Sequence, residues 1–448
     1  MRKFKSPDRS QLTFMPPSIE QWLPENHLAR FVVDIVDQLD LSEVYDSYSH
    51  TGSTPYDPAM LLSLLFYGYA TGVYSSRKIE SATWDSIAFR YISGSLHPDH
   101  DTVASFRKRF LPQIQSYFVE ILLLGKEMGL VKVGNVSIDG SKVQANASKH
   151  HAMSYGYMNK LEEQLKSEVA KLLELAEKVD TEEDQEVNIP DELKRRETRL
   201  QKIREAKKVL EQRAKERHEQ EQTDYEKKME DRAEKEKATG KKTPGKVPQP
   251  PKDEGPKDKD QYNFTDPESR LMKTADGFDQ CYNAQAAVNE DMVVVGAYAN
   301  AHPNDKQELI PTIESIAKEV GKPEAALADT GYCSDENIKK CIEAGIEPFL
   351  ATGRQSHNQP LDHLLNENEK PDPEGSLLEQ MKQKLRTAEG KAVYRLRKMT
   401  VEPVFGIIKE AMGFRRFMLR GEAQANGEWL LVCSSYNLKR MFNMLQTR

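Results

Sequence analysis

The chain has 448 residues, and its 71 Asp and Glu outnumber its 64 Lys and Arg, which gives a formal net charge of −7. This length predicts two or three domains, and the charge argues against a uniformly basic nucleic-acid-binding protein while allowing local basic patches. Four cysteines without a Cys-x-x-Cys pair favour free thiols over disulfides or a zinc site. No apolar run approaches the ~20 residues of a membrane helix, and none follows the basic N-terminus as in a secretory signal, so we expect a cytoplasmic protein.

Residues 1–130 carry the apolar periodicity of helices. Between Leu28 and Leu39, apolar residues recur every three or four positions, which predicts an amphipathic helix. Asp57 and Pro58 are the predicted N-cap and first residue of another helix. That helix is apolar nearly all round, so we expect it at the centre of an all-helical N-terminal domain.

A turn at residues 96–101 separates two further helices, and Asp101 is the predicted N-cap of the second. This second helix carries Arg107, Lys108 and Arg109 among core aromatic residues. The pattern is typical of a helix-turn-helix that contacts DNA phosphates. It is also typical of an ordinary helix pair with a solvated basic face, which the sequence alone favours, and both interpretations stay open.

Residues 131–144 alternate apolar and polar residues, which predicts a β-strand. Asp139 lies at the end of the predicted strand and is followed by Gly140. Because Asp-Gly is also a common hairpin turn, Asp139 is either a carboxylate presented by the strand or a turn residue.

Residues 161–260 differ from their surroundings, because roughly half of them are Lys, Arg, Asp or Glu. Two amphipathic stretches predict a helical hairpin or a short coiled coil. The Pro-, Gly- and Lys-rich residues 239–260 predict a disordered linker. Strand-like sequence stops near 144 and resumes near 280, so we interpret 161–260 as an insertion into one domain.

The rest of the chain alternates predicted strands and helices. Two strands at 278–299 precede a helix with its N-cap at Asn304 and Asp305. A short strand then ends at Asp329, and further helices and a strand lead to Glu402. This alternation predicts a mixed α/β core, in which neighbouring strand ends meet at one edge of the sheet and form sites there.

Glu402 lies in the segment 394–421, which we interpret as a helix with this carboxylate in a basic surround. The basic residues are Arg395, Arg397, Lys398, Lys409, Arg415, Arg416 and Arg420. Positions 395, 398, 402, 405 and 409 fall on one helical face. In the simplest interpretation, Glu402 forms an exposed i, i+4 ion pair with Lys398 and has no function.

If Asp139, Asp329 and Glu402 lie close together in the folded protein, they can bind metal ions. Three carboxylates at one point repel one another and need cations to share, and oxygen ligands favour Mg²⁺ or Mn²⁺ over zinc. Two such ions about 3.5–4 Å apart promote in-line phosphoryl transfer. Basic residues around them suit a polyanionic substrate, so the three acids predict a site acting on nucleic-acid phosphodiesters.

Three segments carry a resemblance to a known family: VSIDGSKVQANASKH at 136–150, ADTGYCSDEN at 328–337, and VEPVFGIIK at 401–409 with GFRRFMLRG after it. Together with FYGYATG and DHDTVASFRKRF in the helical region, they resemble bacterial insertion-sequence transposases of the DDE superfamily over roughly residues 10–440. The resemblance implies a ribonuclease-H-like catalytic core. It also implies that Asp139, Asp329 and Glu402 form a metal-binding triad for DNA strand cleavage and joining.

The resemblance further implies DNA-contacting residues around Glu402. Lys409 lies seven residues after the acid, where the family has a lysine that contacts element-end DNA. The family's Tyr and Arg lie seven and four residues before the acid. Arg395 and Lys398 hold those positions here, with Tyr394 one place off, and a lysine at 398 keeps the charge but not bidentate phosphate binding.

These inferences combine into one prediction. We expect an α+β protein with a helical DNA-binding domain (1–130) and a ribonuclease-H-like mixed β-sheet domain (131–160 and 261–448), interrupted by a charged helical insertion and disordered linker (161–260). The expected partners are two Mg²⁺ or Mn²⁺ ions and double-stranded element-end and target DNA, bound by a homodimer in the nucleoid. The residues expected to bind DNA are Arg107, Lys108, Arg109, Arg395, Lys398, Lys409, Arg415 and Arg416.

Two alternative functions share this fold. A DNA-binding repressor would not nick end DNA in the presence of metal. A metal-dependent nuclease would cut DNA without joining strands.

Overall fold

The computed structural model describes residues 18–49, 54–179, 189–239, 247–275, 277–353 and 376–447. Two compact units are present. One is built from residues up to Asn146 and from Met272 onward, and the other from residues 147–271. The second unit therefore interrupts the first along the chain. The basic N-terminus and residues 240–246 of the predicted linker lie outside the described residues.

The N-terminal part of the first unit is helical, as the apolar periodicity predicts. The Asp57 side chain accepts a hydrogen bond from the Ala59 N–H, and Pro58 begins the helix. This helix is buried along nearly its whole length, which explains why it is apolar all round. The helices described here are α1 (Leu28–Val36), α2 (Ser42–Asp46), α3 (Pro58–Ala70), α4 (Ser76–Asp85), α5 (Ile87–Ser93), α6 (His100–Phe110) and α7 (Ile114–Glu127).

The N-cap of α6 is Asp99 rather than the predicted Asp101. Asp99 Oδ1 accepts from the Thr102 N–H at 2.8 Å. Asp101 lies in the first helical turn, where its charge is favourable to the helix dipole. On the same helix, Lys108 and Arg109 are exposed.

The second half of the first unit forms a six-stranded mixed sheet. The strands are β1 (Asn135–Gln144), β4 (Arg270–Thr274), β5 (Gly277–Val288), β6 (Val294–Asn300), β7 (Ala325–Ala328) and β8 (Glu347–Leu350). Their order in the sheet is β4-β5-β1-β7-β8, and β6 also pairs with β5. β1 is antiparallel to β5 and parallel to β7, which is in turn parallel to β8. A mixed sheet after an all-helical region confirms the predicted α+β class.

The helices that accompany this sheet are α10 (Leu309–Glu314), α11 (Asp335–Glu343), α12 (Leu377–Lys384), α13 (Ala388–Met399), α14 (Val401–Gly406) and α15 (Glu422–Gln446). The helix predicted directly after Asn304 begins only at Leu309. Asn304 instead caps a 3₁₀ turn, Asp305–Gln307. Pro311 explains the late start, because a proline is tolerated in the first helical turn but not in a helix interior.

Helix α15 joins the sheet to the N-terminal helices, since it contacts β6, α3 and α7. Asn437 pairs with both backbone groups of Val294 in β6, at 2.9 and 2.7 Å. The indole of Trp429, which is fully buried, donates to the Gln285 carbonyl at 2.9 Å. These bonds satisfy polar groups that burial would otherwise leave unpaired.

Arg107, one of the residues predicted to bind DNA, belongs to a buried polar network. The residue is only 7% exposed, and Nη1 donates to the Tyr69 hydroxyl at 2.9 Å and to the Tyr74 carbonyl at 3.0 Å. The Tyr69 hydroxyl in turn donates to Glu428 Oε1 at 2.6 Å. Burial raises the pKa of Glu428, and the Arg107 charge opposes that rise.

The second unit contains two long helices, α8 (Tyr155–Val179) and α9 (Ile189–Thr239), and a small β2–β3 pair (Ala152–Ser154, Gln261–Asn263). The helices run antiparallel, because α8 positions pair with α9 positions in reverse order: Glu168 with Arg196 and Glu162 with Lys207. An apolar core lies between them. This confirms the predicted helical hairpin, and α9 continues well past it.

Residues 247–260, predicted as disordered linker, form an irregular segment with specific contacts. Asp260 binds Arg217 of α9 at 3.1 Å, and the Gly255 carbonyl accepts from the same guanidinium at 3.3 Å. Within the described ranges, no helix has the length and apolar character needed to cross a membrane.

We expect Arg107→Ala to lower the free energy of unfolding by about 3–5 kcal/mol, because it leaves the Glu428 carboxylate buried without its cation. Lys108→Ala is the matched control, since Lys108 is the exposed neighbour, and should change it by less than about 0.5 kcal/mol. Urea unfolding of both variants measures the difference. Equal effects would contradict the structural role of Arg107.

Candidate active site

Asp139 lies within β1, not in a turn. The strand continues to Gln144, and its pairing with β5 sets Asp139 opposite Ala286 and Gly140 opposite Gln285. Gly140 is required for packing, because a Cβ at that position would collide with the Gln285 side-chain amide. The Asp-Gly pair therefore belongs to a strand that has no room for a side chain at position 140.

Asp329 directly follows β7, which is the parallel neighbour of β1. Its Oδ1 accepts from the Gly331 N–H at 2.7 Å. The prediction that this acid stands at a strand end is confirmed. Because β1 and β7 are adjacent, Asp139 and Asp329 come from neighbouring strands of the sheet.

Glu402 lies after a break in the predicted helix, so the interpretation of 394–421 as one helix is wrong. α13 ends at Met399, Thr400 has φ −117° and ψ −77°, and α14 follows. Pro403 explains the break, because its ring would clash with the carbonyl of Met399 in a continuous helix. The Thr400 hydroxyl lies 2.8 Å from the hydroxyl of Ser137 in β1, which fixes the break beside the strand.

Arg397 bridges two of the acids. Its Nη1 lies 3.2 Å from Asp139 Oδ2, and its Nη2 lies 2.8 Å from Glu402 Oε1. The Arg397 side chain is 11% exposed. Burial raises the pKa of the Tyr394 hydroxyl, and the Arg397 charge lowers it. The ion pair of Glu402 is therefore made by Arg397 and not by Lys398.

Sequence reasoning missed the role of Arg397, although a signal was present. The family's Tyr and Arg are three residues apart, and so are Tyr394 and Arg397. Both are displaced by one position relative to Glu402, and the break at Thr400 accommodates the extra residue. Arg395 and Lys398, which hold the strict positions, are exposed instead.

The electrostatics of the site centre on Asp139. Burial raises the pKa of this carboxyl to about 6, the Arg397 charge lowers it, and the charges of Asp329 and Glu402 raise it. The charges of both other acids thus act on Asp139. The Arg397 guanidinium provides the positive charge that offsets part of their repulsion.

The chemistry of these donors fits a hard divalent cation, since all three are carboxylates. Among the described residues, no three His, Cys, Asp or Glu side chains are arranged to hold a metal ion. The cation that Asp139 and Glu402 share in this conformation is Arg397.

Comparison with known proteins identifies the family. A model described as transposase domain (DUF772) matches residues 17–109, and one described as transposase DDE domain matches residues 242–438. By these two matches the chain belongs to the insertion-sequence transposases of the DDE superfamily. No curated protein and no solved structure matches it. The second match contains Asp329 and Glu402, whereas Asp139 lies between the two matches.

Membership of this family assigns the transposase to DNA transposition, with DNA as its substrate and divalent metals as the cofactors that the family generally uses. Individual residue roles go beyond what these matches establish. They rest on the geometry of the site.

Lys409 lies in a π-helical turn, Ile407–Ala411. Its Nζ hydrogen-bonds to Ser141 Oγ and lies 3.4 Å from the Lys142 carbonyl. Burial lowers the pKa of its amine. This amine is therefore bound to β1 two residues beyond Asp139, on the same side of the strand.

The other predicted DNA-binding residues have local partners in this structure. Arg415 pairs with Glu410, and Arg416 donates to Gln144 Oε1 at 3.2 Å. Arg109 donates to the Ser47 carbonyl at 2.6 Å. Arg109, Arg415 and Arg416 are exposed, so a polyanion can reach them.

Asp139→Asn should stabilise the metal-free protein at neutral pH. The folded pKa of Asp139, about 6, is above its ordinary value of 3.8, so the stability present below about pH 4 is lost as the pH rises through 6. The neutral amide avoids this loss. We expect a gain of up to about 3 kcal/mol at pH 7.5 and little at pH 4, measured by urea unfolding. A difference that does not vary with pH would contradict the assignment.

Proposed function

We propose that Asp139, Asp329 and Glu402 form the catalytic triad of a ribonuclease-H-like core. In this proposal the core cleaves the ends of a mobile DNA element and joins them to target DNA. The observation that carries it is the Arg397 bridge, which unites a strand acid and a helix acid that are distant in sequence. The Asp329 charge raises the pKa of both Asp139 and Arg397, which supports the assignment of the third acid to the same site.

The residues of the site have separable tasks. Asp139 and Glu402 present carboxylate oxygens towards one point, and the Gly331 N–H orients the Asp329 carboxylate. Divalent cations, when bound by these three acids, supply activation of an attacking oxygen and stabilisation of a leaving oxygen. The Arg397 guanidinium keeps the acids paired before that and is suited to hold a phosphate.

The proposed reaction has two displacements at phosphorus. Water attacks a phosphodiester at the element end, and the P–O bond breaks to leave a free 3′-hydroxyl. That hydroxyl then attacks a target phosphodiester, so one P–O bond forms as another breaks, without a covalent protein intermediate.

We assign DNA binding to the helical domain (1–130) and to the basic residues around the site. We assign catalysis to the domain formed by residues 131–160 and 261–448, which the insertion at 161–260 interrupts. Arg395 and Lys398 are exposed within one helical turn of Arg397, which supports contact with phosphates next to the scissile bond. Since two element ends must be cut and joined together, a homodimer on DNA is the simplest assembly.

Replacing each acid of the triad separately should abolish chemistry but not binding. We expect Asp139→Ala, Asp329→Ala and Glu402→Ala to slow Mg²⁺-dependent cleavage of labelled element-end DNA at least 10³-fold, on the order expected for a residue essential to chemistry. DNA affinity without metal should change little. Glu410→Gln is the control, since this acid is exposed in the same basic region, and should cut at the parental rate.

The products of the parent protein decide between the proposed activity and its alternatives. Strand-joined products support a transposase reaction, cleavage without joining indicates a nuclease, and end binding without nicking indicates a repressor. Cleavage that survives in all three alanine variants would sink the triad assignment.

Arg395→Ala and Lys398→Ala should each weaken end binding and reduce the slope of log affinity against log salt by about 1, as loss of one phosphate contact requires. Lys339→Ala is the control, because Lys339 is equally cationic and exposed on α11. Fluorescence anisotropy at several salt concentrations measures the slopes. An unchanged slope in both variants would remove these residues from the interface.

A further inference from the structure

Side chains from both central strands converge on Asp305. Its Oδ1 accepts from Lys142 Nζ at 2.9 Å, Asn283 Nδ2 at 2.7 Å and Gln285 Nε2 at 3.0 Å. The sequence predicts an N-cap here, but the capping side chain is that of Asn304. Asp305 therefore has another task.

This cluster lies on the face of β1 opposite to Asp139. Side chains alternate along a strand, and the register pairs Gly140 with Gln285 and Lys142 with Asn283. Asp305 thus binds side chains of β1 and β5 on the face of the sheet that is opposite to Asp139. Gly140 leaves the space that the two amides fill.

The Gln285 amide connects Asp305 to the loop that carries Asp329. Its Nε2 donates to Asp305, and its Oε1 accepts from the hydroxyl of Tyr332 at 2.6 Å. Tyr332 is 1% exposed and lies three residues after Asp329. The loop is held a second time by Asn337, whose Nδ2 donates to the carbonyls of Lys306 and Tyr332 at 2.9 and 2.7 Å.

The negative charge of Asp305 determines which way the Gln285 amide points. A carboxylate only accepts hydrogen bonds, so it selects the NH₂ end of the amide and leaves the oxygen for Tyr332. An amide at position 305 could present its own NH₂ group, and the Gln285 side chain could then turn over. The Tyr332 hydroxyl would then face an NH₂ group and lose the acceptor for its own proton, which would weaken one support of the Asp329 loop.

We propose that Asp305 is a positioning residue for Asp329. It links β1 through Lys142, β5 through Asn283 and Gln285, and the Asp329 loop through Tyr332, so that the strand acid and the loop acid keep a fixed separation. This inference rests on the proposed function, in which both acids hold the same cations. A group that orients metal ligands from behind typically changes metal affinity or activity by about 10–100-fold when replaced.

The test uses the full chain and three variants: Asp305→Asn, Tyr332→Phe and Glu308→Gln. Glu308 is the matched control. It is a buried carboxylate three residues away, and its bonds go to Tyr298, Asn300 and His302. Any general loss of packing should affect this control as much as Asp305→Asn.

Three quantities are measured: Mn²⁺ affinity from the electron paramagnetic resonance of free Mn²⁺, hydrogen exchange at residues 330–333, and the maximal rate of single-turnover end cleavage. We expect Asp305→Asn to weaken Mn²⁺ binding and slow cleavage about 10–100-fold and to speed exchange in the loop, with DNA affinity within about twofold of the parent. Tyr332→Phe should change Mn²⁺ affinity, loop exchange and cleavage rate in the same directions as Asp305→Asn, but by smaller factors. Glu308→Gln should leave Mn²⁺ affinity and loop exchange unchanged.

Parental Mn²⁺ affinity and loop exchange in Asp305→Asn would overturn the proposal, as would an equal loss in Glu308→Gln. If Asp305→Asn does not fold, Tyr332→Phe decides by the same criteria. Asp329→Asn in the same series separates this inference from the function on which it rests. If Asp329→Asn binds Mn²⁺ and cleaves DNA like the parent, the triad assignment is wrong. If Asp329→Asn loses both properties while Asp305→Asn keeps the parental Mn²⁺ affinity and loop exchange, only the positioning role of Asp305 is wrong.

Discussion

The site of this transposase depends on one shared positive charge. Asp139 lies in β1, and Glu402 approaches it from a helix, so burial and the charges of Asp329 and Glu402 disfavour the ionised form of Asp139. The Arg397 guanidinium, placed between them at 3.2 and 2.8 Å, reduces that repulsion. Its position depends on the break at Thr400, which the Ser137 hydroxyl fixes to the same strand. The helix break is therefore part of the site.

Strand β1 serves the site with both of its faces. One face presents Asp139 and Ser141, which bind Arg397 and Lys409. The other face presents Gly140 and Lys142 to the amides and the carboxylate behind the sheet. A side chain at position 140 would collide with the Gln285 amide, so the absence of a side chain at this one glycine allows the packing behind Asp139.

Helix α15 contacts both the sheet and the N-terminal helices, and on its helical side it carries a charged group of a buried network. Arg107, Tyr69 and Glu428 form a continuous buried path from α6 to α15. Removing one partner of such a network destabilises the fold, because the remaining charged group stays buried without its partner. A basic residue in a helix-turn-helix pattern thus has a structural role here, whereas its neighbour Lys108 is available to solvent.

Much of this protein follows from local sequence. The mixed strands and helices, the Asp57 cap of α3, the helical hairpin of the insertion and the strand-end position of Asp329 were all predictable, because apolar periodicity and capping act over a few residues. The family and the three acids followed from short motifs. Those motifs do not indicate which residue pairs with each acid, because an ion pair between distant segments has no local sequence pattern.

Tertiary structure decided the rest. It assigned Arg397 rather than Arg395 or Lys398 to the acids, because Pro403 interrupts the helix and shifts the register by one residue. It placed Arg107 in the interior and Lys108 on the surface, a distinction that composition does not show. It also made Asp305 the acceptor of three donors where the sequence suggests a cap. In each case the deciding quantity is which side chains share a buried space, and that is determined only when the strands and helices are assembled.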